Sequence, residues 1–220
     1  MPINYDVRKV DRAGVREFIE KHHYSHNING LMVTYCFAMY DTDNTMVGAM
    51  IYGKLAMANA YKKYGDTQEE VLELRRLVLV DDTPKNSESY FIGKTIRWIK
   101  KNTTVKVIVS YADPNYGHAG TIYKATNFKH MGMTSPGRVI MWKGKKYHDK
   151  AIRTKYKGEL KPFARRLKEA LDKGEAYYVK QLPKHIYVMD LQPGKGPKPR
   201  RRTSPAEGGN DLEVQGSINA

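Results

Sequence analysis

Apolar positions change their period several times along the chain, and each change predicts an element. Val15, Phe18 and Ile19 recur as one helical face behind Asp11, a residue able to cap it, so a helix is predicted over residues 12–22, ending near a run of histidines. Val33–Tyr40 and Met46–Tyr52 are β-rich runs separated by Asp41-Thr42-Asp43-Asn44, a polar turn that pairs them as an antiparallel hairpin. Glu69–Val80 begins mixed and becomes Leu77-Val78-Leu79-Val80, the continuous apolar run of a central strand. Pro84, Asn86 and Ser87 interrupt it. Either Asn86 or Ser87 then caps a helix through about Lys101, with Phe91, Ile92, Thr95, Ile96 and Ile99 as its stripe. A strand over Val105–Tyr111 stops at Asp113-Pro114-Asn115, Gly120–Asn127 reads as a short helix, and Met131–Trp142 reads as a last hairpin turning at Ser135-Pro136-Gly137. A helix near Pro162–Asp172 and a short run Ile186–Leu191 follow. Beyond Gln192 no apolar period survives, and 192–220 reads as a disordered tail.

This order predicts an α/β (α+β) fold: a mixed sheet flanked by helices, its two central strands near residues 77 and 108 joined by a crossover helix. Ligands of open α/β sheets collect at the carboxyl ends of such strands, and there the Thr83–Ser89 turn opens a helix whose free N–H groups suit phosphate. Composition narrows the class. A chain of 220 residues with 40% hydrophobic side chains can bury a core, and its single cysteine, Cys36, excludes an internal disulfide or a cysteine-rich zinc cluster. The apolar runs fall short of a membrane span and the N-terminus lacks a basic-then-apolar leader, so the expectation is a soluble intracellular protein.

Charge is distributed unevenly. Residues 1–137 carry 18 basic and 14 acidic side chains, whereas 138–202 carry 20 basic and 6 acidic, a local net of +14. Such a density attracts a polyanion through phosphate contacts and counterion release, though a merely solvated basic surface would read the same. Tyr147, Tyr156, Phe163, Tyr177 and Tyr178 are interleaved with Lys145, Lys146, Arg153, Lys155, Lys157, Arg165 and Arg166, the pattern that backbone contact plus base stacking would need. The domain reading is therefore a catalytic domain over 1–142, a basic, aromatic-rich extension packed on it over 143–191, and the tail. Nucleic acid is the expected partner, with a dimer possible.

Several residue sets could carry chemistry. His22, His23, Tyr24 and His26 form the densest cluster of metal-capable side chains, and adjacent histidines cannot share one helix face, so only one of His22 and His23 can enter a common site. Arg75 and Arg76 sit on a strand and point to opposite faces; a guanidinium there clamps an anion or pairs with Glu73. Asp113 at a strand end and Tyr123 on the next helix face one cleft, where they can exchange protons, or Asp113 forms an Asx turn. Lys85, Ser87 and Ser89 could receive donor phosphate at the helix start. Cys36 alternates inward and reads as packing rather than as a nucleophile.

The element order, with Gly120-Thr121-Ile122-Tyr123-Lys124-Ala125-Thr126-Asn127-Phe128 after the second central strand, resembles the GCN5-related N-acetyltransferase superfamily over residues 5–142, although the turn Pro84-Lys85-Asn86-Ser87-Glu88-Ser89 has none of that family's glycines. His22-His23-Tyr24-Ser25, Glu73-Leu74-Arg75-Arg76-Leu77, Ser110-Tyr111-Ala112-Asp113 and Gly120-Thr121-Ile122-Tyr123 together are similar to the phage Mom family, a divergent branch of that superfamily. The resemblance implies a phage enzyme of the host cytoplasm that adds a carbamoylmethyl group to the N6 amine of adenine in DNA and so blocks restriction. It also implies double-stranded DNA as the partner, iron at His23 and Tyr24, Arg75, Asp113 and Tyr123 as catalytic residues, and acetyl-CoA or another acyl donor near Lys85, Ser87 and Ser89. The alternatives are an acyl-CoA-dependent N-acetyltransferase of a protein or small molecule, and a non-catalytic DNA-binding protein.

Overall fold

The computed structural model describes residues 4–192, so the tail expected over 192–220 lies, apart from Gln192, outside the described residues. A seven-stranded sheet dominates, in the order β1 (Asp6–Val10), β2 (Val33–Tyr40), β3 (Met46–Gly53), β4 (Val71–Leu79), β5 (Val107–Ala112), β12 (His185–Asp190) and β6 (Lys129–Met133). Only the β4–β5 neighbours are parallel.

The two faces of this sheet are covered by different helices, and the period-two alternation of β2 sorts the side chains between them. Cys36 and Ala38 pack with Val15 and Ile19 of α1 (Ala13–His22), whereas Phe37 and Met39 join Phe91, Ile92, Ile96 and Ile99 of α2 (Ser87–Asn102). Burying each large apolar side chain of the α2 stripe contributes about 1.5–3 kcal/mol. Its one hydroxyl, Thr95, bonds the Tyr52 phenol at 2.8 Å, so neither is left unpaired. α1 begins where the Asp11 carboxylate accepts the Gly14 amide at 2.7 Å. α2 starts differently from expectation: Asn86 takes a left-handed conformation with φ 73° and makes no side-chain cap, and the buried Ser87 donates its hydroxyl back to the Pro84 carbonyl at 2.6 Å.

Strands β4 and β5 pair only from Val71 and Val107 to Leu74 and Ser110; beyond that point they part. On its other edge, the β3–β4 register shifts between Ile51 and Tyr52, leaving Arg75 as an extra residue on β4. The short helix α3 (Thr121–Ala125) closes the far side of the parting. Its preceding Gly120 has φ 76°, and a Cβ there would fall 2.2 Å from the buried Tyr187 ring, so only glycine fits.

Two expectations fail after residue 128. Met131–Trp142 is not a hairpin: β6 pairs with β12 in the large sheet, whereas β7 (Gly137–Trp142) pairs with β11 (Ala176–Gln181) and β8 (Lys145–His148) in a second sheet. The apolar run near 186 is β12, inserted between β5 and β6, so the chain past Trp142 completes the central sheet as well as packing on it. The second sheet and α4 (Pro162–Asp172) enclose a small core of Ile140, Leu167, Ala170 and Ala176, and the two-residue strands β9 (Lys155–Tyr156) and β10 (Glu159–Leu160) lie between. Tyr147 and Phe163, two aromatics of the basic segment that could be either stacking surfaces or core, are core: they pack on each other at 5.2 Å and on Trp142. Among the described residues no helix is long and apolar enough to cross a membrane.

Candidate active site

The parting of β4 and β5 opens a cleft of about 400 Å3, walled by the second half of β4, the end of β5, the 117–120 loop and α3. Where parallel strands separate, backbone groups and alternate side chains lose their cross-strand neighbours and face a ligand instead.

His23 enters this cleft and His22 does not. α1 ends at His22, whose ring stacks outside on Phe18 at 4.6 Å, and His23 follows in extended conformation with a 5% exposed side chain. Its Nδ1 accepts the Ser25 amide at 3.0 Å, which puts the proton of the neutral ring on Nε2. Burial, followed by the positive charge of Arg76 and the nearby His118 and His26, brings its pKa down to about 4. His23 is therefore a neutral N–H donor at physiological pH. Tyr24 stacks on it at 4.2 Å and on Tyr116 at 4.5 Å, and burial raises its phenol above the ordinary range.

The two arginines divide in a way that residue identity alone could not settle. Arg75, the extra residue of the β4 bulge, gives its guanidinium to the Lys54 carbonyl at 3.0 and 2.7 Å and to Glu73 at 3.4 Å. Its side chain reaches the cleft wall but is committed to structure. Arg76 lies against His23 and Tyr24, and its buried Nε has no partner among the described residues. An unpaired guanidinium N–H is costly unless a ligand oxygen meets it. Glu73 lines the adjoining cavity of about 350 Å3 with Tyr111, Arg76 and Lys184; burial raises its carboxyl above the usual range against the pull of Arg75.

Asp113 and Tyr123, expected to face one cleft, line different cavities: Tyr123 lines the cleft and Asp113 the adjoining Glu73 cavity. Asp113 accepts Asn115 through both its backbone amide at 3.0 Å and side-chain amide at 2.7 Å, and it pairs with Lys184 at 2.8 Å. Burial opposes its charge, but the Lys184 and Asn115 hydrogen bonds prevail and hold it below the ordinary carboxylate range. It is an ionised anchor for the 113–118 turn and a poor proton acceptor. The Tyr123 phenol is buried between Phe128 at 5.5 Å and Tyr187 at 5.2 Å, with Ser110 in hydrogen-bonding reach; burial raises its pKa, so it stays protonated.

A further hollow of about 500 Å3 at the head of α2 shares Leu79, Glu88, Thr121 and Ile122 with the cleft. Lys85 and Ser89 face it, together with Asp81 and Glu88. Ser87 does not, because its hydroxyl is turned inward to Pro84. The basic residues Lys145, Lys146, Arg153, Lys155, Lys157, Arg165 and Arg166 are all exposed, but only Lys146 reaches toward the cleft, where its ammonium meets the Tyr116 hydroxyl at 3.2 Å. Arg153 is spent on Asp149 at 3.1 Å.

The iron expected at His23 and Tyr24 does not fit these donors. His23 Nδ1 is occupied by the Ser25 amide and Nε2 carries the proton, the Tyr24 phenol is held away from phenolate, and both Asp113 oxygens are taken. Among the described residues no three His, Cys, Asp or Glu side chains cluster closely enough to share an ion. Arg76 lines the cleft and the adjoining cavity together with the expected Arg75, and sequence reasoning did not single out Arg76, Tyr116, His118 or Lys184. The Arg75–Arg76 doublet was visible, but the bulge that chooses between them was not.

A mixed α/β sheet with its ligand cleft at the carboxyl ends of two parting parallel strands is the class that fold and site define. Residues 4–205 match the Mom protein family, and the chain belongs to that family. It is 30% identical over 121 residues to "Methylcarbamoylase mom" of Escherichia phage Mu, an alignment covering 53% of this chain and 49% of that protein, so the match spans about half the length of the phage Mu relative. Among solved structures it is similar to an N-acetyltransferase from Staphylococcus aureus Mu50 (15% identity, TM-score 0.47, covering 86% of this chain and 100% of that one). It is likewise similar to a Bacillus subtilis acetyltransferase in complex with CoA (10%, TM-score 0.43, 86% and 100%). These are distant likenesses.

Proposed function

We propose that the protein is a phage DNA modification enzyme, a transferase that attaches a carbamoylmethyl group to the N6 amine of adenine in DNA and thereby protects phage DNA from host restriction. Membership of the Mom family supports the reaction class. The observation that carries the reading is the cleft itself: Arg76, whose buried Nε–H has no partner among the described residues, the protonated Tyr123 phenol and the neutral His23 imidazole line it, and Arg76 also lines the adjoining cavity of Glu73, whose carboxyl pKa is raised.

The adenine amine is a weak nucleophile because its lone pair is delocalised into the ring, so help is needed at both ends of the transfer. The N6 lone pair forms a bond to the donor's electrophilic carbon while that carbon's bond to the leaving group breaks. Glu73 takes the N6 proton, its raised pKa making it a better acceptor than Asp113. Tyr123 gives its proton to the leaving group. Arg76 and the His23 Nε2–H steady the carbonyl oxygen of the group in transit. Arg75 positions Glu73, and Asp113 positions Lys184 and the turn bearing Tyr116 and His118. The donor must carry the –CH2–CONH2 group on a leaving group, which an acetyl thioester does not, and its entry is by the hollow at the head of α2, where Lys85 and Ser89 are available to phosphate and Asp81 and Glu88 limit the negative charge tolerated.

Mass spectrometry of nucleosides from plasmid recovered after expression tests the reading: modified deoxyadenosine is expected with the wild type and not with Tyr123→Phe. Fragmentation separates the carbamoylmethyl product from its methylcarbamoyl isomer, since only the latter is a urea that sheds methyl isocyanate. Unmodified nucleosides in cells making the folded protein would overturn the reaction.

A further inference from the structure

Between the cleft and the small lobe runs a groove of about 350 Å3 that the transfer chemistry does not use. One wall is aromatic. Tyr24 and Tyr116 stack at 4.5 Å and 34°, His118 lies 5.2 Å from Tyr24, and yet the two tyrosines remain 44% and 45% exposed, so ring surface is left open to the groove. The other wall is cationic and comes from a different part of the chain. Lys146 on β8 reaches across to the Tyr116 hydroxyl and lies 4.9 Å from its ring centre, and Arg138 on β7 and Lys184 before β12 line the same space. Tyr24 and Arg76 belong to the groove, the cleft and the Glu73 cavity alike, and so stand where the three meet.

Open aromatic faces beside several cations, opening onto a reaction cleft, recognise the two parts of one nucleotide unit: a flat base and its backbone phosphate. A base still paired inside a duplex cannot reach a seat walled by both lobes. We propose that this groove is the receiving site for a single extrahelical adenine, which stacks on the Tyr24–Tyr116 wall while Lys146, Arg138 and Lys184 hold the flanking phosphates. The assignment rests on DNA being the substrate. It adds that the small lobe, through Lys146, closes the site rather than serving only as a docking surface elsewhere on the duplex. Tyr116 is a binding residue here and takes no part in bond making.

Fluorescence anisotropy with the full-length protein tests it without donor or turnover, using two duplexes of one sequence: one fully paired, the other with its central adenine opposite an abasic site. Freeing the base removes most of the cost of extrusion, so the wild type binds the second duplex roughly tenfold or more tighter. Tyr116→Leu brings that ratio toward one, and Tyr116→Phe, which keeps the ring and loses only the Lys146 bond, retains it. Lys146→Ala weakens the abasic-site duplex more than the fully paired one and lowers the slope of log affinity against log salt by about one. Equal wild-type affinity for the two duplexes overturns the proposal, as does a full ratio in folded Tyr116→Leu. Unmodified nucleosides alongside an intact ratio would sink the transfer chemistry and leave the seat standing, whereas no DNA binding at all would remove both.

Discussion

The seven-stranded sheet and the three-stranded lobe handle charge in opposite ways. Around the cleft, ionisable groups are withdrawn from water and each has an assigned neighbour: Glu73 with Arg75, Asp113 with Lys184, His23 with the Ser25 amide. Arg76 Nε, buried without a partner among the described residues, is the exception. In the lobe the cations stand exposed on a small apolar core, and Lys155, Lys157, Arg165 and Arg166 make no ion pair among the described residues. Burial makes a charge sensitive to position because its loss leaves a partner unpaired, while an exposed charge acts as one of many. The contrast fits the proposed function, with transfer at defined atoms in the cleft and summed attraction to a polyanion at the lobe, and Lys146–Tyr116 is a contact that joins them.

The largest effects should come from the buried site. Tyr123→Phe and Glu73→Gln are each expected to lower the rate of adenine modification about 10²–10⁴-fold with the melting temperature little changed, measured as modified nucleoside per unit of folded protein. Arg165→Ala should leave that rate nearly untouched. Equal losses from both kinds of substitution would erase the contrast between the regions.

Acid stability sharpens it next. The folded-state pKa of His23 is depressed to about 4 from 6.5, so the unfolded chain binds the extra proton first; the stability involved is fully present above pH 6.5 and is lost as pH falls through 4. It amounts to on the order of 3 kcal/mol. Urea unfolding across pH 4–7 should show a steeper decline for the wild type than for His23→Gln, and parallel curves would mean that His23 is not held neutral.

Smaller again is Gly120→Ala. The added Cβ would press on the buried Tyr187 ring, and the positive φ would strain alanine, so a loss of about 1–3 kcal/mol is expected from thermal unfolding. Smallest is the lobe surface: Arg165→Ala and Arg166→Ala should each reduce the salt slope of duplex binding by about one and shift stability by less than about 0.5 kcal/mol. A large stability loss there would mean those cations are structural.

Much of the architecture could be read along the chain because the signals are local. A side-chain period of two or of 3.6 belongs to consecutive residues, which is why α1, the β2–β3 hairpin, α2 and β5 were legible, as was the concentration of positive charge after residue 138. Helix geometry allowed only one of His22 and His23 into the site, because neighbours on a helix diverge, and the family resemblance chose His23. His23, Tyr24 and Tyr123 could be named as candidates from their residue types and spacing, and all three line the cleft.

What lay beyond that reading depends on partners far away in the chain. Whether Ile186–Leu191 ends an appendage or joins the main sheet is settled by the space left between β5 and β6, and nothing within the run encodes it. The choice of Arg76 over Arg75 comes from a one-residue slip against β3, which turns one guanidinium to the Lys54 carbonyl and leaves the other at the cavity. Ser87 looked like a phosphate ligand until the left-handed turn at Asn86 directed it inward. Tyr147 and Phe163 could be stacking surfaces or core until α4 closed over them. The sequence by itself determined α1, the β2–β3 hairpin, α2, β5 and α4 in their chain order, the family and the charge asymmetry, since these signals lie along the chain itself. Tertiary structure decided which side chains meet, because register, bulges and strand insertion are chosen by packing the whole core at once.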